Sequence, residues 1–435
     1  MTTTGIGIAI LFGTLFLLIL MRIPIAFSLG ISAVAASLYL EIPLLNIYMK
    51  TVTSMQNFVI VACPFFIIMA QFMAFGGITK KLMRFCNLIV GRVPGGTALV
   101  NILVSMLFGG ISGSSTADVS SIGAMLIPAM VDEGYDTDYS VAVTVTSSLE
   151  GVMIPPSQNM LFYSVAAASG ISISTLLICG YIPGILLTLG LAIPAFIIAK
   201  KRKYPLSEKV DSKEKLRIFL ESAAGLMGIV IVVAGTTTGI CSATESAALA
   251  AAYCLVIAVF MYRSLSFRQF LESLYSALPI MAMSLAIIAC SNAFSYVMSY
   301  LKVPALLSEV MLSISTNRNV IILLMLALML VLGCFMDMGV LILVTTPILY
   351  PLAVGTLGMN PYHFGVILVF GFAIGLCTPP VGTSLFIGCK IGNIPVESCI
   401  KAFLPFYIIM FALLLVLTFV PEISLFLPRM MGLAV

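Results

Sequence analysis

Long apolar segments alternate with short polar connections along the whole chain. A helix needs about 20 mainly apolar residues to cross a bilayer. The candidate spans are 5–21, 24–40, 57–76, 139–168, 174–199, 218–237, 242–262, 279–300, 361–390 and 400–420. Two further apolar stretches, 95–130 and 319–355, are interrupted by Gly, Pro, Ser and Asp. We expect each to form a re-entrant helical hairpin, so the pattern predicts an all-α integral membrane protein with one polytopic domain, residues 1–435.

Two amphipathic segments lie beside these spans. The apolar positions of 267–278 recur at helical spacing, and they are Phe267, Phe270, Leu271, Leu274, Tyr275 and Leu278. Segment 44–55 holds the matching place in the first half, with a less regular pattern. Helices of this kind lie along the membrane interface. We therefore expect two interfacial arm helices.

Composition excludes a water-soluble fold. Hydrophobic residues make up 61% of the chain and charged residues only 9%, against about 25% charged in soluble domains. The ten cysteines are scattered through apolar segments without a C-x-x-C pair, and His363 is the only histidine. We expect no cofactor and no His or Cys metal site, and the net charge of +4 does not indicate a nucleic-acid partner.

Lysine and arginine in the short loops predict the orientation. Basic residues cluster strongly in 200–217, and further ones occur at Arg22, at 80–84 and at 263–268. All of these loops lie on the same side of the membrane only if both interrupted stretches are re-entrant. Loops rich in Lys and Arg stay in the cytoplasm, so both termini are expected outside. The first 21 residues lack a basic start and an A-x-A site, and we interpret them as a span rather than a signal peptide.

The two halves of the chain resemble each other at an offset of about 224 residues. The matching positions are Gly109 with Gly333, Gly151 with Gly375, and Pro155-Pro156 with Pro379-Pro380. We predict repeats 24–199 and 242–425, joined by the basic cytoplasmic loop 200–217. The charge pattern makes these repeats inverted, an architecture typical of secondary transporters with a binding site at the membrane midplane.

The first hairpin carries a polar run, residues 109–118, with the sequence GGISGSSTAD. It is a poor helix former, and it suits an irregular tip at which backbone N–H groups and helix N-termini face an anion. Either Ser114, Ser115 or Asp118 is expected to cap the second arm. A simple capped turn is the alternative. The predicted substrate-binding residues are Ser112, Gly113, Ser114, Ser115, Asp118, Ser157, Asp337 and Thr383.

Each half also contains a span broken by two prolines, near 147–158 and 375–384. Proline lacks an N–H donor, so carbonyl groups are released from the helical ladder. Carbonyl and hydroxyl oxygens are suitable ligands for Na⁺, the only metal expected. The predicted cation-binding residues are Ser148, Gly151, Val152, Pro155, Gly333, Gly375, Leu376, Thr378, Pro379 and Gly382. A proline kink without a ligand is the alternative.

The carboxylates and the basic residues bear on the coupling ion. Glu150 lies inside a predicted span, where a charge is costly unless it is paired or functional. Glu245 is interpreted as a second buried carboxylate, either a cap or a transport residue. No Arg or Lys falls inside the predicted core. An anionic substrate would then be held by tip dipoles, hydroxyls and co-bound cations, which favours Na⁺ coupling over a proton relay.

These motifs resemble those of a known family. The runs at 109–118, P-P-S at 155–157, G-x-x-x-D at 333–337 and T-P-P-V-G at 378–382 are similar to the large membrane subunit of tripartite ATP-independent periplasmic (TRAP) transporters, of the DctM/SiaM type. The likeness covers essentially the whole chain. The second hairpin lacks the Ser-Gly-Ser-Ser richness of the first, which argues against equal anion contacts from both tips.

The resemblance implies an elevator-type, Na⁺-driven importer in the bacterial inner membrane. It implies two partners, a small four-helix membrane subunit and a periplasmic substrate-binding protein, and it implies the unfused form of the large subunit. The implied substrates are small organic acids such as C4-dicarboxylates or sialic acid.

Three other functions are alternatives. A stand-alone divalent-anion/Na⁺ symporter has a similar hairpin plan and differs in not needing a binding protein. An intramembrane serine protease would use the G-I-S-G run at 110–113 with His363 as base, but it leaves the repeat unexplained. A purely structural subunit is the third alternative.

Overall fold

The computed structural model describes residues 3–56, 58–167, 170–204, 212–238 and 240–435, and all regular structure in these ranges is helical. The helices up to the first break are Thr3–Leu20, Ile25–Tyr39, Leu44–Met55, Phe58–Val61 (3₁₀), Ala62–Phe75, Ile78–Val90, Gly96–Ser112, Ser115–Asp118, Val119–Gly123 (π), Ala124–Asp132, Thr137–Ser147, Glu150–Met153 and Gln158–Ala166. The middle helices are Ile173–Cys179, Tyr181–Arg202, Ser212–Thr238, Ala243–Val256, Ile257–Met261 (π) and Phe267–Tyr300. The last helices are Val303–Ile314, Arg318–Gly333, Met338–Tyr350, Pro351–Thr356 (π), Pro361–Leu376, Thr383–Gly392, Val396–Phe419 and Glu422–Met430.

The apolar helices are long enough for a multi-pass membrane protein. Within the described ranges, seven helical segments have the length and composition to cross a bilayer. Ala62–Phe75 and Ile78–Val90, which meet at a bend of 72°, add an eighth if they count as one span. The prediction of an all-helical chain with many apolar spans is therefore confirmed.

Both interrupted stretches fold as two helices joined by a short tip. Gly96–Ser112 ends at Gly113, whose φ of +63° is favourable for glycine. The next helix begins after Ser114. We call residues Gly113, Ser114, Ser115 and Thr116 the first tip. In the second hairpin, Arg318–Gly333 and Met338–Tyr350 flank residues 334–337, the second tip. The two arms of each hairpin contact each other.

The broken spans lie in the interior. The first broken helix comprises Thr137–Ser147, Glu150–Met153 and Gln158–Ala166, and the second comprises Pro361–Leu376 and Thr383–Gly392. Every residue from Tyr139 to Ser147 and from His363 to Leu376 is buried. Large apolar side chains of the other helices remain exposed, as at Leu20 (81%) and Phe260 (74%), which suits contact with lipid. These two stretches of the broken helices are therefore surrounded by protein.

Two sequence expectations about scaffold elements were wrong. The arm predicted at 267–278 is not a separate element, because Phe267–Tyr300 is one helix of 34 residues that includes Pro279. A membrane helix tolerates such a proline when neighbouring groups satisfy the released carbonyl. Glu245 is exposed rather than buried, and it completes a capping box with Ser242 at the start of its helix.

His363, the suggested protease base, packs between helices. Its ring is buried, with Nδ1 2.7 Å from the Ser424 hydroxyl and Nε2 3.4 Å from the Thr418 carbonyl. These contacts join the second broken helix to the C-terminal helices. His363 is thus engaged in packing, and the side chain of Ser112, its suggested protease partner, lies outside the described residues.

Candidate functional site

Both tips open into one cavity of about 680 Å³. The first tip contributes Ser114, Ser115 and Thr116, and the second tip contributes Asp337. Outer helices, both broken helices and the second hairpin supply the remaining walls. These walls include Arg22, Ile25, Pro279, Met283, Ser284 and Ile287. A cavity of this size suits a small organic molecule.

The first tip is held by hydrogen bonds to its own backbone and to the first broken helix. The Ser114 hydroxyl caps the following short helix by accepting from the Ala117 N–H at 3.4 Å. The Asn159 side-chain amide donates to the Gly113 carbonyl at 2.9 Å. These bonds hold the hydroxyls of Ser114 and Thr116, which lie 3.0 Å apart, at the cavity wall. Ser114 is therefore the capping residue among the three candidates.

A buried hydroxyl cluster lies behind the first tip. The Ser115 hydroxyl lies 2.6 Å from that of Ser148 and 2.7 Å from that of Ser384. All three side chains are buried, at 1%, 0% and 0% exposure. Ser148 also donates to the Val145 carbonyl at 2.7 Å. The cluster connects the first tip to both broken helices.

The second tip presents a carboxylate in place of hydroxyls. Asp337 caps Met338–Tyr350 by accepting from the Gly339 N–H at 3.0 Å. Asp337 is exposed, and it lines the cavity. The tips are therefore chemically unequal, as the sequence indicates.

The first break contains a serine that replaces a missing amide. Pro156 lacks an N–H, and the Ser157 hydroxyl donates to the Val152 carbonyl at 2.5 Å. The Val152 carbonyl thus accepts from the side chain of the residue after Pro156 in place of the amide that proline lacks. Ser157 is fully buried, also caps Gln158–Ala166, and is not a cavity-lining residue.

The second break brings carbonyl oxygens together. A Cβ on Gly382 would lie 2.7 Å from the Leu376 oxygen and 2.8 Å from the Thr378 oxygen. The Thr378 hydroxyl donates back to the Ile374 carbonyl at 2.8 Å. The buried Thr383 hydroxyl has no hydrogen-bond partner among the described residues. The carbonyls of residues 376 and 378 thus lie close to Gly382, and the Thr378 carbonyl accepts from the Gly382 N–H at 3.2 Å.

The paired glycines bring each hairpin against its broken helix. A Cβ on Gly109 would lie 2.6 Å from the Gly151 Cα, and a Cβ on Gly375 would lie 2.4 Å from the Gly333 Cα. Such distances leave no room for a side chain. Pro155 and Pro379 lie just beyond these contacts, and both precede a cis proline.

Two buried carboxylates lie beneath the first tip. Asp118 and Glu150 are both 0% exposed, and their oxygens make no hydrogen bond to described residues. Asp118 is not among the residues that line the 680 Å³ cavity. The structure therefore separates Asp118 from the tip hydroxyls with which the sequence grouped it. The side chain of Ser112 lies outside the described residues.

Several residues of the site were not selected from the sequence. Ser384 lies in the second polar run, but only the fold brings it to Ser115. Gln158 follows the first break, and its amide donates to Ser284 at 2.8 Å, joining the broken helix to Phe267–Tyr300. Arg22, interpreted from sequence only as an orientation marker, reaches the cavity from the end of Thr3–Leu20. A basic side chain is thus available, contrary to expectation, because it enters from outside the core.

No group of three or more His, Cys, Asp or Glu residues suited to a metal ion occurs in the described ranges. The two breaks carry backbone carbonyl and hydroxyl oxygens. The hard oxygen atoms present at residues 376 and 378 fit Na⁺ better than a transition metal.

Comparison with a solved structure supports the fold. The chain matches a chain of the Alcanivorax borkumensis YdaH transporter with a TM-score of 0.62 at 12% identity, covering 89% of each chain. Identity this low supports likeness of fold alone.

Comparison of sequences identifies the family. The C4-dicarboxylate TRAP transporter large permease protein DctM of Rhodobacter capsulatus is 35% identical over 97% of this chain and 99% of that protein. The sialic acid TRAP transporter large permease protein SiaM of Vibrio cholerae is 32% identical over 86% of this chain and 87% of that protein. Residues 12–423 match the family described as tripartite ATP-independent periplasmic transporter, DctM component. The chain belongs to this family of membrane permeases.

Proposed function

We propose that this chain is the large membrane subunit of a Na⁺-driven importer of small organic acids, working in the bacterial inner membrane. The observation that carries the proposal is the cavity into which both tips open, lined by hydroxyls of the first tip and by Asp337 of the second. The DctM and SiaM relatives are named for C4-dicarboxylates and sialic acid. An acid of this class is the proposed substrate.

The substrate anion is proposed to bind at the first tip. Ser114 and Thr116 present hydroxyls at the cavity wall, and the helix that begins at Ser115 directs backbone N–H groups toward the same end. Gly113 permits the turn that brings them there. Asp337 on the opposite wall is proposed to accept from substrate hydroxyl groups or to balance a bound cation.

Na⁺ is proposed to bind beside each break. At the second break the carbonyls of Leu376 and Thr378 converge on Gly382. At the first break Ser148, Gly151 and Val152 supply hydroxyl and carbonyl oxygens, with Ser157 shifting away from Val152 when the ion enters. Two cations near the tips would offset the charge of the anion. Gly333, Gly375, Pro155 and Pro379 shape these sites through their backbone.

Transport is proposed to proceed by an elevator movement. Hydrogen bonds fix the hairpins and broken helices to one another: Ser115 to Ser384 at 2.7 Å, and the Tyr163 hydroxyl to the Pro361 carbonyl at 2.6 Å. Such a block can move as a unit against Leu44–Met55 and Phe267–Tyr300. The Gln158–Ser284 bond would break during this movement.

The remaining architecture is proposed from the sequence pattern. The repeats 24–199 and 242–425 are inverted, the hairpins re-enter from opposite sides, and the loop 200–217 is cytoplasmic. The Gly109–Gly151 and Gly333–Gly375 contacts support the repeat, because equivalent glycines meet in both halves, and the charge pattern supports the orientation. A small four-helix membrane subunit and a periplasmic binding protein are the proposed partners, with membrane lipid around them.

Uptake into proteoliposomes tests the function. Radiolabelled succinate and sialic acid would be offered with and without a Na⁺ gradient, in the presence and absence of the binding protein and small subunit. We expect uptake that depends cooperatively on Na⁺ and is lost in Pro156→Ala or Pro380→Ala. Uptake driven by a proton gradient and indifferent to Na⁺ would reject the coupling proposal. Full activity without a binding protein would identify a stand-alone symporter.

A further inference from the structure

Arg22 is the one basic residue among the described residues that line the 680 Å³ cavity, and Asp337 is the one acidic residue. Arg22 lies in the short connection between Thr3–Leu20 and Ile25–Tyr39, whereas Ser114 and Asp337 belong to the tips. The cavity therefore receives its positive charge from a different part of the molecule than its hydroxyls.

The backbone at Arg22 has an unusual conformation for arginine. Its φ is +61°, in the left-handed region that glycine adopts at lower cost. The Arg22 N–H donates to the Ile19 carbonyl at 2.9 Å, and the next N–H donates to the Leu18 carbonyl at 3.1 Å. Glycine would suit this helix end better, so the arginine side chain is not explained by the turn.

The Arg22 guanidinium forms no ion pair with a carboxylate of the described residues. The ion pairs of the described residues use Lys81, Arg202, Arg217, Arg268 and Arg429. The Arg22 residue is exposed. An arginine that is exposed in a cavity and not paired to a carboxylate is available to an anionic ligand.

We propose that Arg22 binds the acidic group of the substrate, as a specificity-determining residue supplied by the outer helices. This inference rests on the proposed function and specifies the group that the site recognises: a carboxylate or a sulfonate, either of which can offer two oxygens to the guanidinium fork. Because Arg22 is not part of the proposed moving block, it meets the substrate only when the tips lie beside it. It therefore favours the anion in this conformation and draws it from the tips toward the cavity mouth.

Arg263 provides a matched control. It is also an exposed arginine with positive φ (+48°) at the end of a helix, but it does not line the cavity. Replacing either residue by Gln removes one positive charge from an equivalent backbone position. Arg22→Gly serves as a second variant, because glycine fits the left-handed conformation and preserves the fold if Gln does not.

The first experiment measures the charge in the cavity without any substrate. Met283 lines the cavity, so Met283→Cys is introduced into a chain whose reactive native cysteines are replaced. The labelling rate with an anionic methanethiosulfonate reagent is divided by the rate with a cationic one. We expect Arg22→Gln or Arg22→Gly to lower this ratio roughly fivefold, as removal of a nearby charge in a wet cavity does, and Arg263→Gln to leave it unchanged. An unchanged ratio in both Arg22 variants overturns the inference.

The second experiment measures uptake of an acid that the parent transports. Arg22→Gln should raise KM roughly tenfold, Arg22→Lys should raise it less, and Arg263→Gln should match the parent. An unchanged KM in Arg22→Gln and Arg22→Gly rejects the substrate role. If the parent transports no organic acid, the proposed function fails, whereas the labelling ratio still reports whether Arg22 sets the charge of the cavity.

Discussion

The hydroxyl of Ser115 lies 2.7 Å from the hydroxyl of Ser384, although 269 residues separate them along the chain. Ser115 belongs to the tip of the first hairpin. Ser384 lies in the first turn of Thr383–Gly392, the second helix of the second broken span. Ser148 of the first broken helix contacts Ser115 at 2.6 Å. The first tip is thus fixed by both broken helices, which explains how two halves of a chain can form one site.

Removing the Ser384 hydroxyl should loosen the first tip. We expect Ser384→Ala to lower the stability by about 1–2 kcal/mol, because the buried Ser115 hydroxyl loses one of its two partners. Uptake should fall as the tip becomes less ordered. Thermal unfolding of the detergent-solubilised protein and proteoliposome uptake measure the two effects.

Ser291→Ala is the control for this substitution. Ser291 is equally buried, but its hydroxyl donates only to the Ile288 carbonyl of its own helix, at 2.9 Å. We expect this variant to retain uptake. Equal uptake in Ser384→Ala and the parent would show that the cluster does not position the tip.

The charge of Asp337 should matter more for transport than for folding. An Asn side chain keeps an oxygen that accepts from the Gly339 N–H, so Asp337→Asn preserves the cap but removes the charge at the cavity wall. We expect an unfolding temperature close to that of the parent and a loss of uptake of about tenfold or more, the size of effect that a lost charge interaction gives.

Glu245→Gln is the corresponding control. Glu245 is also a carboxylate at a helix start, but it is exposed and lies in a capping box away from the cavity. This variant should transport like the parent. Retention of full uptake by Asp337→Asn would remove Asp337 from the site.

Asp118 should have no direct role in substrate recognition. It is 0% exposed and does not line the cavity, so no substrate atom reaches it without movement of the tip. We expect Asp118→Asn to leave the KM for the organic acid within about twofold of the parent, less than ~0.4 kcal/mol. An increase in KM comparable to that of a tip variant such as Ser114→Ala would return Asp118 to the substrate site.

The sequence predicts the helix breaks well because their causes are local. Proline removes a donor wherever it occurs, and Gly113 ends a helix through its own φ. The sequence also marks Gly109 and Gly151 through their repetition in the second half, although only the structure shows that these two glycines meet. These features need no knowledge of which helices are neighbours.

Tertiary neighbours explain what the sequence misses. The partner of Ser115 is set by packing between halves, and nothing near Ser384 indicates it. Arg22 looks like an orientation marker because its cavity is assembled from distant helices. The sequence pattern also does not show that Phe267–Tyr300 is continuous. Pro279 suggests a break, because a proline ends a helix of a soluble protein more often than a membrane helix with close neighbours.

The proposed orientation makes a separate prediction about accessibility. Cysteine is introduced in place of two exposed residues, Lys201 and Ala434. Lys201 lies at the start of the basic loop 200–217, and Ala434 lies near the C-terminus. In cells, a membrane-impermeant maleimide should label Ala434→Cys and not Lys201→Cys, because basic loops remain in the cytoplasm. A chain without reactive native cysteines is the background. Labelling of Lys201→Cys alone would reverse the orientation and place the termini inside.

The glycine pairs give the sharpest prediction about the fold. A Cβ on Gly151 would lie 2.2 Å from the Gly109 Cα, and a Cβ on Gly375 would lie 2.4 Å from the Gly333 Cα. The atoms opposite belong to backbone, which cannot rotate away as a side chain can. We expect Gly151→Ala and Gly375→Ala each to destabilise the protein by about 3 kcal/mol, the upper end of overpacking costs.

Gly13→Ala separates this clash from the general effect of alanine in a helix. Gly13 lies inside Thr3–Leu20 with no atom within 4 Å of its added Cβ. Alanine favours a helix over glycine by about 1 kcal/mol, so Gly13→Ala should leave the unfolding temperature unchanged or raise it. The measurement is thermal unfolding of all three variants in one detergent. If Gly151→Ala and Gly375→Ala were as stable as Gly13→Ala, the hairpins would not pack against the broken helices through their backbones. The proposed cation sites, which need that close approach, would then lose their structural basis.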